Sequence, residues 1–151
     1  MDIQSITNMV FDFHIQNCSF KTVYDLINLE FDDDNDKIKA FCVWGSYIKM
    51  QISDEIICQI FNLLRGREIY ETAEDLLCLF DLKNLRLKRI WNRKNKLINE
   101  ITYTKDFSVL DAIDCIIKDK EINIDEKKLL AFFIGIDCLE TYRRQNEKTS
   151  F

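Results

Sequence analysis

A chain of 151 residues with 47% hydrophobic and 31% charged residues has the size of about one domain and a globular rather than a disordered composition. Proline is absent and glycine occurs only at Gly45, Gly66 and Gly135, where an average chain of this length would carry about seven prolines and ten glycines. That deficit argues against hairpin-rich folds and glycine-built phosphate cradles, and the net charge of −5 argues against general affinity for nucleic acid.

Apolar residues recur at helical spacing along almost the whole chain, which predicts an all-α fold: a single compact bundle of about seven to eight helices. Ile3, Ile6, Val10 and Phe13 mark a first helix. Ser19 caps a second, with Phe20, Val23, Tyr24 and Ile27 on one side. The acidic run of Glu30, Asp32, Asp33, Asp34 and Asp36 reads as a loop, followed by a third helix over about 37–51 with Ile38, Phe41, Cys42 and Ile48 inward. Ser53, Asp54 and Glu55 open a fourth helix that stops at Gly66, the residue expected at a left-handed C-terminal turn. Thr72-x-x-Asp75 resembles a capping box and opens a short helix through Phe80. A basic helix over about 84–100 follows, with Leu87, Ile90, Trp91, Leu97 and Ile98 on its buried side. Ser108-x-x-Asp111 caps the next, with Val109, Ala112, Ile113, Ile116 and Ile117 inward. From Asp125 to about Arg144 runs a last helix, apolar on nearly every side between Leu129 and Leu139, which marks it as the centre of the bundle.

The motifs that would carry chemistry are incomplete. Asp32, Asp34 and Asp36 fit the first ligand positions of a calcium loop, but Lys37 and Val43 stand where glycine and a bidentate Glu are needed. His14 and Cys18 lie four apart, at metal-ligand or thiol–base spacing, with no second pair to complete a site. The six cysteines (Cys18, Cys42, Cys58, Cys78, Cys115, Cys138) are widely spaced, most of them on apolar stripes, and read as reduced core thiols of a cytoplasmic protein. No signal peptide is apparent, and the apolar run Leu129–Ile136 is too short to span a bilayer, so no membrane insertion is expected. No catalytic, cofactor or metal set emerges. The expected function is therefore binding rather than catalysis, with an orphan enzyme as one alternative.

Two features invite a partner. Residues 83–96 hold seven Lys or Arg and no acid, and Arg86, Arg89, Arg93 and Lys96 form one stripe that would grip an acidic surface or phosphates, or simply face solvent. Trp44 and Tyr47 share a face of the third helix off much of the Ile38–Cys42 stripe, as anchors for a partner or as core between two packed sides. The candidate contacts are therefore Trp44, Tyr47, Arg86, Arg89 and Arg93. A nucleic-acid-associated protein using the helix at 83–96 is the remaining alternative.

Phe41, Trp44 and Tyr47, the Ile60-Phe61-x-x-Leu64 run, and Ile134-Gly135, Cys138, Tyr142-Arg143 and Asn146-Glu147 together resemble the poxviral Bcl-2-like proteins over residues 37–147. The resemblance implies a Bcl-2-like bundle around a central helix near 126–144. It also implies a non-enzymatic inhibitor of host innate-immune or cell-death signalling, acting by occupying a host signalling protein or pairing with a second copy of itself. Trp44-Gly45 is followed by Ser46, where the cell-death branch carries Arg, which points to signalling interference.

Overall fold

The computed structural model describes residues 1–16, 19–51 and 78–149. Within them the chain is all-helical, with six α-helices and no strand: α1 (Ile3–Gln16), α2 (Phe20–Glu30), α3 (Asp34–Gln51), α4 (Leu87–Tyr103), α5 (Val109–Lys118) and α6 (Ile124–Thr149). A 3-10 turn at Leu82–Asn84 precedes α4. The two further helices expected near 53–66 and 72–80 fall on or next to residues outside those described, as do Cys18, Cys58 and the Ile60-Phe61 run. Cys78 and Leu79 lie in a turn and Phe80 in a bend, so a helix does not run through Phe80.

The acidic run explains why α3 starts earlier than expected. Asp33 sits before the first turn and its Oδ1 accepts from the backbone N–H groups of Asn35 (2.7 Å) and Asp36 (3.4 Å). Asp34 and Asp36 then place negative charge where the helix dipole is positive. The loop thus shrinks to Phe31–Asp33, and the aspartates are helix-start chemistry rather than a cation cradle. A second unforeseen cap opens α6. Asn123 Oδ1 accepts from the Glu126 N–H (2.9 Å) while Glu126 Oε1 accepts from the Asn123 N–H (3.0 Å), a full capping box. The Ser108–Asp111 box forms as expected. Ser19 precedes α2 without a side-chain cap bond. The link between α4 and α5 turns through Asp106, whose φ of 69° lies in the left-handed region that Asp tolerates better than most residues.

Every residue of α6 from Leu129 to Ile136 is buried, and α3 crosses this stretch at close range. A Cβ built on Gly135 would lie 2.0 Å from the Cys42 carbonyl oxygen, and one on Gly45 would lie 2.2 Å from that of Phe132. Only glycine lets the two backbones meet this closely. Ser46 fastens the crossing, its hydroxyl within hydrogen-bond range of the carbonyls of Cys42 (3.3 Å) and Gly135 (3.2 Å). Around it, Phe41, Trp44, Phe80 and Phe132 pack ring against ring at centroid separations of 5.2–6.0 Å, with Tyr24 at the edge. α4 docks on α6 through Lys94, which is buried, lies 4.4 Å over the Trp91 ring and donates to Asp137 at 3.2 Å.

Candidate functional site

Trp44 is fully enclosed by Phe41 and Phe132, and its Nε1–H has no hydrogen-bond partner among the described residues. The expectation of Trp44 as a partner contact is therefore corrected. The side of α3 that carries it is pressed against α6, so the ring is core and cannot reach a partner while the bundle is intact. Tyr47, one turn on, lies at the margin. Its ring is half-buried, stacks on His14 (5.5 Å, 27°) and meets the edge of Phe11 (5.8 Å, 61°). Burial pushes the Tyr47 hydroxyl up and the His14 imidazole down, so both rings favour their neutral forms.

The exposed side of this cluster belongs to α1. Phe11 is 46% and Ile15 59% exposed, one turn apart on a face that turns away from buried Ile6 and Val10. Sequence reasoning missed the pair. The signal was present: two large apolar residues off the Ile6–Val10–Phe13 stripe, on a helix whose core face was already accounted for.

The arginine stripe is brought together at the surface, on partners from the chain itself. Arg86 occupies the position before α4, and its Nε and Nη2 bind the two oxygens of Glu126 at 3.0 and 2.5 Å, while its backbone N–H adds a further bond at 3.0 Å. Arg86 Nη2 and Arg89 Nη1 also donate to the Glu121 carbonyl at 2.8 and 3.0 Å. Arg93 binds Asp119 (2.5 Å) through Nε and the Glu121 carboxylate through Nη2. The acidic surface that the stripe was expected to seek in a partner is the chain's own α5–α6 link with the first turn of α6, residues 119–126. Nor do these arginines merely line a solvated face. The three guanidiniums clamp that link to the start of α4, and Lys127 Nζ adds a bond to the Ile117 carbonyl at the end of α5 (2.7 Å).

Electrostatics follow from the contacts. The Arg86 guanidinium, with backbone donors from Asn123 and Arg86, outweighs burial and holds the Glu126 carboxyl at about 2. Burial pushes Asp119 up, but the hydrogen bond and charge of Arg93 prevail and keep it below the usual carboxylate range. Glu126 itself is completely buried, and neither its pairing with Arg86 nor that of Asp119 with Arg93 was anticipated.

Of the four described cysteines, none bridged, Cys42 is buried and Cys138 half-buried, and burial raises Cys42 strongly and Cys138 to about 11. Cys78 and Cys115 are exposed, which corrects their placement in the core. Among the described residues no group of His, Cys, Asp and Glu is arranged to hold a metal ion. No described helix is long and apolar enough to cross a membrane.

Comparison of the chain with protein-family models, characterised proteins and solved structures finds no match.

Proposed function

We propose that the protein is a non-enzymatic protein-binding module whose contact surface is the outer face of α1 around Phe11 and Ile15, bordered by the His14–Tyr47 stack. The observation that carries this reading is the exposed apolar pair itself. Phe11 packs edge-on against Tyr47, which stacks on His14, so ordering this ring on a partner costs little side-chain entropy. The mechanism is occupancy: an apolar anchor on a preformed helix covers a surface that a signalling protein would otherwise use. We assign the partner to host innate-immune or cell-death signalling on the resemblance of residues 37–147 to the poxviral Bcl-2-like proteins. The tying of Arg86 and Arg93 to internal carboxylates favours a protein partner over nucleic acid, since a phosphate would compete with acids already in place.

The test replaces Phe11 and Ile15 by Lys, positions whose exposure lets the fold persist, and compares the proteins captured by variant and parent from expressing cells. Loss of an apolar anchor weakens binding by about thirtyfold or more. A partner captured by the parent and lost by a variant of unchanged helicity supports the site. Retention of every partner by the folded variant overturns it, and salt-sensitive retention of mixed DNA or RNA by both proteins favours the nucleic-acid reading.

A further inference from the structure

The groove between α4 and α5 lies apart from the α1 surface. Arg93, Lys96, Leu97 and Glu100 form one stripe of α4 along it, and Cys115, Ile116 and Asp119 of α5 lie opposite, around a cavity of about 340 Å³. That volume is at the small end of ligand sites. Leu97, Ile116 and Leu130 are buried and supply an apolar inner wall. On another side stands the Arg93 cluster, whose charge Asp119 and Glu121 already balance.

Two charges are left over. Lys96 is exposed and Glu100 half-buried, one turn apart on α4, and neither makes an ion pair among the described residues. Lys preceding Glu is the weaker order for pairing along a helix, which leaves both heads available to a third party. The axial separation of the two positions is about 6 Å. A cation and an anion one turn apart on the helix that lines this cavity, beside an apolar wall, complement a ligand with the reverse pair of charges and an apolar side chain. We propose that this cavity binds a free apolar α-amino acid, its carboxylate on Lys96, its ammonium on Glu100 and its side chain against Leu97, Ile116 and Leu130.

The experiment titrates L-leucine into isotopically labelled full-length protein and follows backbone amide shifts. In parallel, peptide mapping follows alkylation of Cys115 by iodoacetamide. Cys115 lines the cavity and is exposed, while Cys78 is exposed outside it and serves as the internal control. Expected are amide shifts confined to α4, α5 and the segment of α6 around Leu130, with Cys115 slowed and Cys78 unchanged. Isocaproate and isoamylamine, each lacking one charge, should bind at least about tenfold more weakly, and so should leucine to Lys96→Met or Glu100→Gln protein of unchanged helicity. Absence of shifts up to about 10 mM leucine overturns the proposal, since weaker binding than that carries no specificity. Equal binding of isocaproate overturns the zwitterion as well, leaving an ordinary apolar carboxylate cleft.

Discussion

Both oxygens of Glu126 are occupied in the folded protein, by Arg86 on one side and by the Asn123 N–H in the capping box. Protonation would break this arrangement, so the carboxyl titrates at about 2 when folded against 4.5 when free. The unfolded chain therefore binds the proton more readily. The contribution of Glu126 is fully present above about pH 4.5 and is lost as the pH falls towards about 2, a difference of about 3 kcal/mol. Glu126→Gln should be less stable at neutral pH and should show a flatter decline of its urea midpoint between about pH 5 and pH 3. An equal decline in parent and variant would mean that other carboxylates govern acid unfolding. At the same scale, Trp44 shows what spacing leaves open. Its separation from Tyr47 places both on one side of α3, but whether a second helix covers that side depends on α6, almost ninety residues later.

At the scale of elements, the arginine clamp joins the start of α4 to the α5–α6 link. Triple replacement of Arg86, Arg89 and Arg93 by Glu puts like charges against Asp119, Glu121 and buried Glu126. The solvated-face reading expects such a variant to keep its fold. The clamp predicts instead a loss of several kcal/mol, because Glu126 is left buried beside an added negative charge. Hydrogen exchange should accelerate first at residues 119–126, and unchanged protection there would remove the clamp from the account. The helices themselves were legible in the residue order, since apolar periodicity in Ile6–Val10, Val23–Ile27 and Ala112–Ile116 reports local geometry. The Ser108–Asp111 box was legible for the same reason. What joins the helices was not. Arg93 and Asp119 are 26 positions apart and Arg86 and Glu126 are 40, distances over which nothing in the order of residues assigns a partner. The acidic run misled differently, because aspartates suit both loops and first turns, and the cap at Asp33 decided for the helix. The Phe11–Ile15 surface was readable in principle as a second apolar face on α1.

At the scale of the whole molecule, α1 and α2 are laid on α3, and the centre of the bundle is α6. α3, α4 and α5 each pack against it, and Leu129, Phe132, Phe133 and Ile136 are without solvent contact. Phe133→Ala should cost about 3–5 kcal/mol in urea unfolding, and a loss below about 1 kcal/mol would be inconsistent with an enclosed ring. The uneven charge of the chain resolves at this scale too. The basic segment at 83–96 lies beside the acidic link, so the charges of Arg86 and Arg93 are balanced within the protein. The anchor that α1 offers, Phe11 and Ile15, is apolar, and association through it should depend only weakly on salt.

The meeting of Gly45 and Gly135 has a spectroscopic consequence. Each site that a Cβ would fill holds an α-hydrogen instead, and that hydrogen points at a carbonyl oxygen of the opposite helix, Cys42 for Gly135 and Phe132 for Gly45. These are reciprocal carbon–hydrogen donors across the crossing, each worth about 0.5–1 kcal/mol. One of the two α-protons of each glycine should therefore resonate well downfield of its geminal partner, and the splitting should collapse on unfolding. Gly135→Ala would place a methyl carbon against the Cys42 oxygen, so the helices must separate, and the Gly45 splitting should shrink even though that residue is untouched. The nuclear resonance of two protons thus becomes a gauge of how tightly α3 and α6 are closed.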